Sequence, residues 1–113
     1  MQLDEKRILT KWQQKNRGNR RLLDAIDKLI FDLENSEYAS YTHLLKERKD
    51  ADQVHTKGIF FFNVENDRVL VAIKFEKNRA IALWIGTHSS YEKLFRNNKT
   101  TIEKWLRSKG HIR

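Results

Sequence analysis

The sequence contains no cysteine. Disulfides, zinc–thiolate sites and thiol nucleophiles are thereby excluded, and the chain suits a reducing compartment. Proline is also absent, and only four glycines occur in 113 residues. Breaks between elements must therefore be read from polar clusters. No apolar run approaches the roughly 20 residues that cross a bilayer. The opening Met1-Gln2-Leu3-Asp4-Glu5 lacks the apolar core of a secretory signal. The expected location is the cytoplasm, with no membrane partner. Repeats, low-complexity tracts and linkers are missing too. So are phosphate-binding glycine loops, dinucleotide motifs and nucleophile elbows. His43, His55 and His111 are scattered, without metal-ligand spacing. No metal and no cofactor is expected.

What is present is charge and apolar pattern. The length suits one domain, 1–113, with a modest core. The net charge is +8, a pointer to nucleic acid that is weak without a distribution. Residues 1–21 carry seven Lys/Arg against two acids, and residues 92–113 carry the same, while residues 22–91 hold nine against eleven. If the fold joins the ends, they form one anion-binding surface. If it does not, they are two solvated basic helices.

Asp4 is placed to cap a first helix, with Ile8, Leu9 and Trp12 as its apolar face and an end near Asn16–Gly18. A second helix is expected from Asn19 to Leu33. Its residues Leu22, Leu23, Ile26, Leu29, Ile30 and Leu33 form one apolar stripe, the strongest periodic signal in the chain. A shorter helix is expected over Ser40–Glu47. The pattern then changes to strands at Ile59–Val64, Arg68–Phe75 and Ala80–Ile85, joined by turns at Glu65-Asn66-Asp67 and Glu76-Lys77-Asn78. They read as an antiparallel meander, apolar on both faces and so covered on both. Gly86 should end the last strand. Ser89 with Glu92 has capping-box spacing for a following helix, and Thr100 with Glu103 repeats it, suggesting a break near Asn97-Asn98. The fold class is α+β: helices packed on one small sheet.

The stretch Ile85 to Glu92 carries the chemistry, because a strand there hands over to a helix. Free N–H groups and a positive dipole end make such a junction a phosphate site. His88 brings a side chain type that exchanges protons near neutral pH. Tyr91 could donate to a phosphate oxygen or stack on a base. The plainer alternative is that Thr87 and Ser89 only cap the helix and His88 is a surface residue. Arg68 could clamp phosphate with its planar fork, or be an ordinary turn arginine. Lys57, Lys74 and Arg79 are weaker candidates of the same kind. Trp12, Trp84 and Trp105 read as core residues rather than stacking platforms.

Three segments taken in order resemble the HigB-type toxins: Phe62-Asn63-Val64, Arg68 to Ile73, and Ile85-Gly86-Thr87-His88-Ser89-Ser90-Tyr91-Glu92. Lys6–Trp12 is similar to that family's first helix, and Ala51–Val54 to the segment before its strands. The resemblance covers roughly residues 3–95. It implies a RelE-like fold, with a small antiparallel sheet packed against N-terminal helices and a C-terminal helix. It implies a ribosome-associated, metal-independent mRNA endoribonuclease, held inactive by a HigA-like helix-turn-helix antitoxin. Operator DNA would be met only through the antitoxin complex. By that analogy Arg68 binds the scissile phosphate, His88 is general acid or base, and Tyr91 orients a base or phosphate. Thr87, Lys57, Lys74, Arg79, Lys93 and Arg96 would contact RNA. The sequence departs from the family in a shorter first turn, in Ala72 and Leu83 where some members carry basic residues, and in a barely visible N-terminal strand at Met1-Gln2-Leu3. A gyrase-poisoning ParE-like toxin of the same fold and a non-catalytic RNA- or DNA-binding module are the alternatives, since fold does not fix function.

Overall fold

The computed structural model describes residues 1–96 and 98–113. The apolar hexapeptide Ile59–Val64 forms β3, and every residue in it except Asn63 is buried. It pairs antiparallel with β4 (Asp67–Lys74), which pairs antiparallel with β5 (Arg79–Thr87). The expected meander is therefore present. The sheet is larger than the meander, however, because β1 (Gln2–Asp4) and β2 (Asp52–His55) extend its two edges. Its order is β1-β5-β4-β3-β2, and β1 runs parallel to β5, which makes the sheet mixed.

Alternation along the strands sends side chains to two separate cores. Phe60, Phe62, Val69, Val71 and Ile73 face one side, where α2 (Arg20–Glu34) buries Leu22, Ile26, Leu29, Ile30 and Leu33. Phe61, Leu70 and Ala72 face the other, where α4 (His88–Phe95) and α5 (Lys99–Ser108) bury Tyr91, Phe95, Ile102 and Leu106. Both faces are covered, as the strand composition required. The first side also takes Leu9 of α1 (Arg7–Lys15) and Leu44 of α3 (Tyr41–Glu47). The helices of the two basic segments thus pack on opposite faces of the sheet and do not merge into one anion-binding surface.

Several boundaries differ from the sequence pattern for local reasons. Asp4 is not a cap: it ends β1, Glu5 turns the chain with φ 59°, and α1 starts after Lys6 without a side-chain cap. Asn19 and Ser40, expected as the first residues of α2 and α3, are their caps, accepting from the backbone N–H of Leu22 and His43. Ala51–Val54 is not a lead-in, since β2 starts at Asp52. Gly86 does not end β5; it pairs with Arg68, and a Cβ there would meet the Trp84 ring at 2.5 Å. Ser89 does not cap α4. Thr87 does, so His88 becomes the first helical residue. Asn98, rather than Thr100, caps α5, while Asn97 of the expected break lies outside the described residues. No described helix is long and apolar enough to cross a membrane. Trp12, Trp84 and Trp105 are partly buried against the two cores, in agreement with the sequence reading.

A largely buried ion-pair network fastens α2 to the sheet. Arg48 donates to Asp32 at 3.2 Å and to Asp50 at 2.7 Å, and Asp50 accepts from the backbone N–H of Asn63 at 2.9 Å. Removing one partner of such a network strands the others. Arg48→Ala is expected to cost about 3 kcal/mol or more, measured by urea denaturation. Gly58 has φ 78°, and a Cβ would lie 2.3 Å from the Ile73 carbonyl oxygen, which is backbone and cannot yield. Gly58→Ala is expected to lower stability by about 2 kcal/mol, read from the same titration.

Candidate nucleic-acid cleft at the β4 and β5 strand ends

β3 and β4 are joined by the two-residue turn Glu65-Asn66, with Glu65 at φ 56°. This pairs Val64 with Asp67 and Asn63 with Arg68. The three-residue turn expected from sequence would have shifted that register by one. Asp67 lies opposite Thr87, the last residue of β5. The turn and the start of α4 therefore stand side by side. Between them is an open cleft of about 610 Å³, lined by Asn63, Glu65, Asn66, Asp67, Arg68 and His88.

Each side chain in the cleft is placed by a specific element. Asp67 reaches the opposite face from Arg68 and accepts from Trp12 Nε1 at 2.9 Å, which ties α1 to the strand end. Arg68 follows the alternation of Leu70 onto the α4 side. Its guanidinium carbon lies 4.6 Å from the Tyr91 ring centre and 4.8 Å from that of Phe61. Cation–π attraction to both rings fixes its plane. Its Nε donates to Asn63 Oδ1 at 3.2 Å, and one Nη group lies 3.4 Å from Asp52. The other Nη group has no hydrogen-bond partner among the described residues.

His88 is exposed, with its side chain 63% accessible, and its Nε2 lies 3.1 Å from Glu92 one helical turn on. Thr87 Oγ1 accepts the Ser90 backbone N–H at 3.0 Å and holds the start of α4. Tyr91 departs from expectation. Its ring is 2% exposed, set edge-on to Phe61 at 5.0 Å, with Arg68 against its face. Packing leaves it no open face for an RNA base. It is the wall against which Arg68 stacks.

The cleft therefore brings together Arg68 and His88, with Tyr91 packed behind Arg68 and Thr87 capping the helix that carries His88, and it leaves the other basic candidates elsewhere. Lys74 lies at the far end of β4, about 20 Å from Arg68 at strand rise. Lys74 pairs with Arg79, which is held by Asp4 at 3.2 Å. Lys57 and Lys74 line a separate cavity of about 220 Å³ with His111. Lys93 and Arg96 are exposed on and just after α4. Sequence reading passed over three partners of the cleft residues. Glu92 was visible at i+4 from His88. Asn63 required the turn length, and Asp52 required β2.

Residues 23–94 match the family model HigB_toxin, the RelE-like toxic component of a toxin-antitoxin system. The chain belongs to this family. The match runs from α2 into α4 and includes every residue that lines the cleft. No curated protein matches the chain. A RelE-like toxin of this family has an antitoxin as its partner class, and the α+β fold described above fits the same identification. Within this family member, Asn63 sets the orientation of the Arg68 fork. In Asn63→Ala the Arg68 Nε–H is expected to exchange with solvent about tenfold faster, seen by NMR, with the fold retained.

Proposed function

We propose that this toxin is an mRNA-cleaving endoribonuclease that acts on the ribosome. The observation that carries the reading is that Arg68 and His88, a fixed guanidinium and an exposed imidazole, line the same cleft. In-line cleavage of RNA needs little more than this. The 2′-oxygen bonds to phosphorus as the bond to the 5′-oxygen breaks, leaving a 2′,3′-cyclic phosphate and a 5′-hydroxyl. One proton leaves the 2′-hydroxyl and one joins the departing oxygen. His88, with Glu92 beside it, handles one of them, and solvent in the open cleft exchanges the other. Arg68 offers its uncommitted Nη group to the phosphate and offsets the charge that builds there. Tyr91 and Asn63 hold Arg68, while Thr87 holds His88 at the head of α4. No step calls for a metal or cofactor.

Carboxylates surround the cleft, with Glu65, Asp67 and Glu92 beside Arg68 and His88. Affinity for RNA must then come from outlying cations. Lys93 and Arg96, exposed on and just after α4, are the nearest such candidates along the chain. Lys57, Lys74 and Arg79 would meet a different part of the ribosomal RNA from the far end of the sheet. Phosphate contacts of this kind make binding fall steeply with salt. A HigA-like helix-turn-helix antitoxin would complete the system and carry its operator binding.

The test is induced expression with mRNA integrity followed by primer extension. The unaltered chain is expected to arrest translation and cleave mRNA. His88→Ala and Arg68→Ala are each expected to slow cleavage by about 100-fold or more. Full cleavage by both variants contradicts the assignment. Arrested replication with intact mRNA would point to gyrase instead.

A further inference from the structure

The interaction between Arg68 and Asp52 has a character unlike that of the other buried arginine. Arg48 is tightly paired: its bonds to Asp32 and Asp50 are 3.2 and 2.7 Å, and its side chain and both carboxylates are mostly buried. The Arg68 side chain is about as buried, 15% accessible, yet its carboxylate partner is 53% accessible and 3.4 Å away. Charge-assisted N–H···O bonds settle at about 2.7–2.9 Å. Asp52 also stands on β2, a four-residue edge strand whose pairing with β3 shifts register after Gln53. Arg68 itself is held independently, by the Phe61 and Tyr91 rings and by Asn63. Its position does not depend on Asp52.

We infer that Asp52 is an intramolecular occupant of the anion site on Arg68, a carboxylate that a phosphodiester displaces when nucleic acid enters the cleft. The inference rests on the reading of Arg68 as a phosphate-binding residue. A carboxylate and a phosphate oxygen make the same fork-to-oxygen contact with a guanidinium, so the two compete for one set of donors. A long ion pair whose carboxylate is exposed to water is worth little by itself, and an incoming phosphate therefore has little to overcome. Asp52 would discriminate as well. It pairs off Arg68 against weakly held anions and yields to a strand anchored at several phosphates. It acts through Arg68 and is a positioning residue, not a catalytic one.

The experiment uses the full chain and a short fluorescent RNA with 2′-O-methyl groups at every position, which binds without being cleaved. Affinity is measured by anisotropy for the unaltered chain, Asp52→Asn, Arg68→Gln and the double variant, with melting temperatures recorded beside them. Asp52→Asn is expected to bind about three- to fivefold more tightly at low salt, with its melting temperature little changed. In the Arg68→Gln background that gain should vanish, which separates a local contest for Arg68 from a general loss of negative charge. Unchanged or weaker binding by Asp52→Asn, with Arg68→Gln still impaired, overturns the inference and leaves the RNA reading standing. A gain that persists without Arg68 overturns it likewise. Undiminished binding by Arg68→Gln removes the reading on which both depend.

Discussion

The sheet is buried on both faces, and that constraint decides where chemistry can occur. β3, β4 and β5 send one set of side chains to the α2 core and the other set to the α4–α5 core. A charged side chain in the middle of either face would lose its hydration without a partner, at a cost of several kcal/mol. Polar function is pushed to the strand ends, where a side chain can keep one side on the core and the other on water. Arg68 occupies that position on β4, and His88 occupies it where β5 becomes α4.

Arg68 is where the layers meet. β3 contributes Phe61 and Asn63, β2 contributes Asp52, and α4 contributes Tyr91. The aromatic rings fix the plane of the guanidinium, and the amide fixes its rotation. Preorganised donors of this kind need no rearrangement when charge develops in front of them. The Arg48 network works one layer further back. Its Asp50 grips the backbone N–H of Asn63, so the anchoring of α2 and the orientation of Arg68 share one strand residue.

Much of this could be read in the sequence. The apolar stripe of α2 and the hexapeptide of β3 are strong because burial on a fixed period leaves few other arrangements. Phe61 and Leu70 alternating with Phe60 and Val69 already required cover on both faces. The edge strands could not be read. β1 and β2 are three and four residues long, too short for alternation to show, and they exist because β5 and β3 offer open edges. The cap of α4 was misplaced by two residues because Ser89 and Glu92 fit the spacing that Thr87 and Ser90 satisfy in space. Tyr91 looked available on the first turn of a helix, and only the position of Phe61 on the neighbouring strand shows that its ring is a wall. The length of the β3–β4 turn mattered most, because one residue more would have taken Asn63 out of register with Arg68. The THSSY stretch and the FNV segment identified the family where spacing alone left a capped helix with a surface histidine.

The central claim is that the strand-end cleft activates a ribose 2′-hydroxyl against its neighbouring phosphate. The chemistry of the cut ends tests it most directly. RNA from cells expressing the toxin can be sequenced after ligation schemes that separate 5′-hydroxyl from 5′-phosphate ends. The account predicts new 5′-hydroxyl ends within translated mRNA, each matched upstream by a 2′,3′-cyclic phosphate. New ends bearing 5′-phosphate, or growth arrest with no new ends at all, would contradict it.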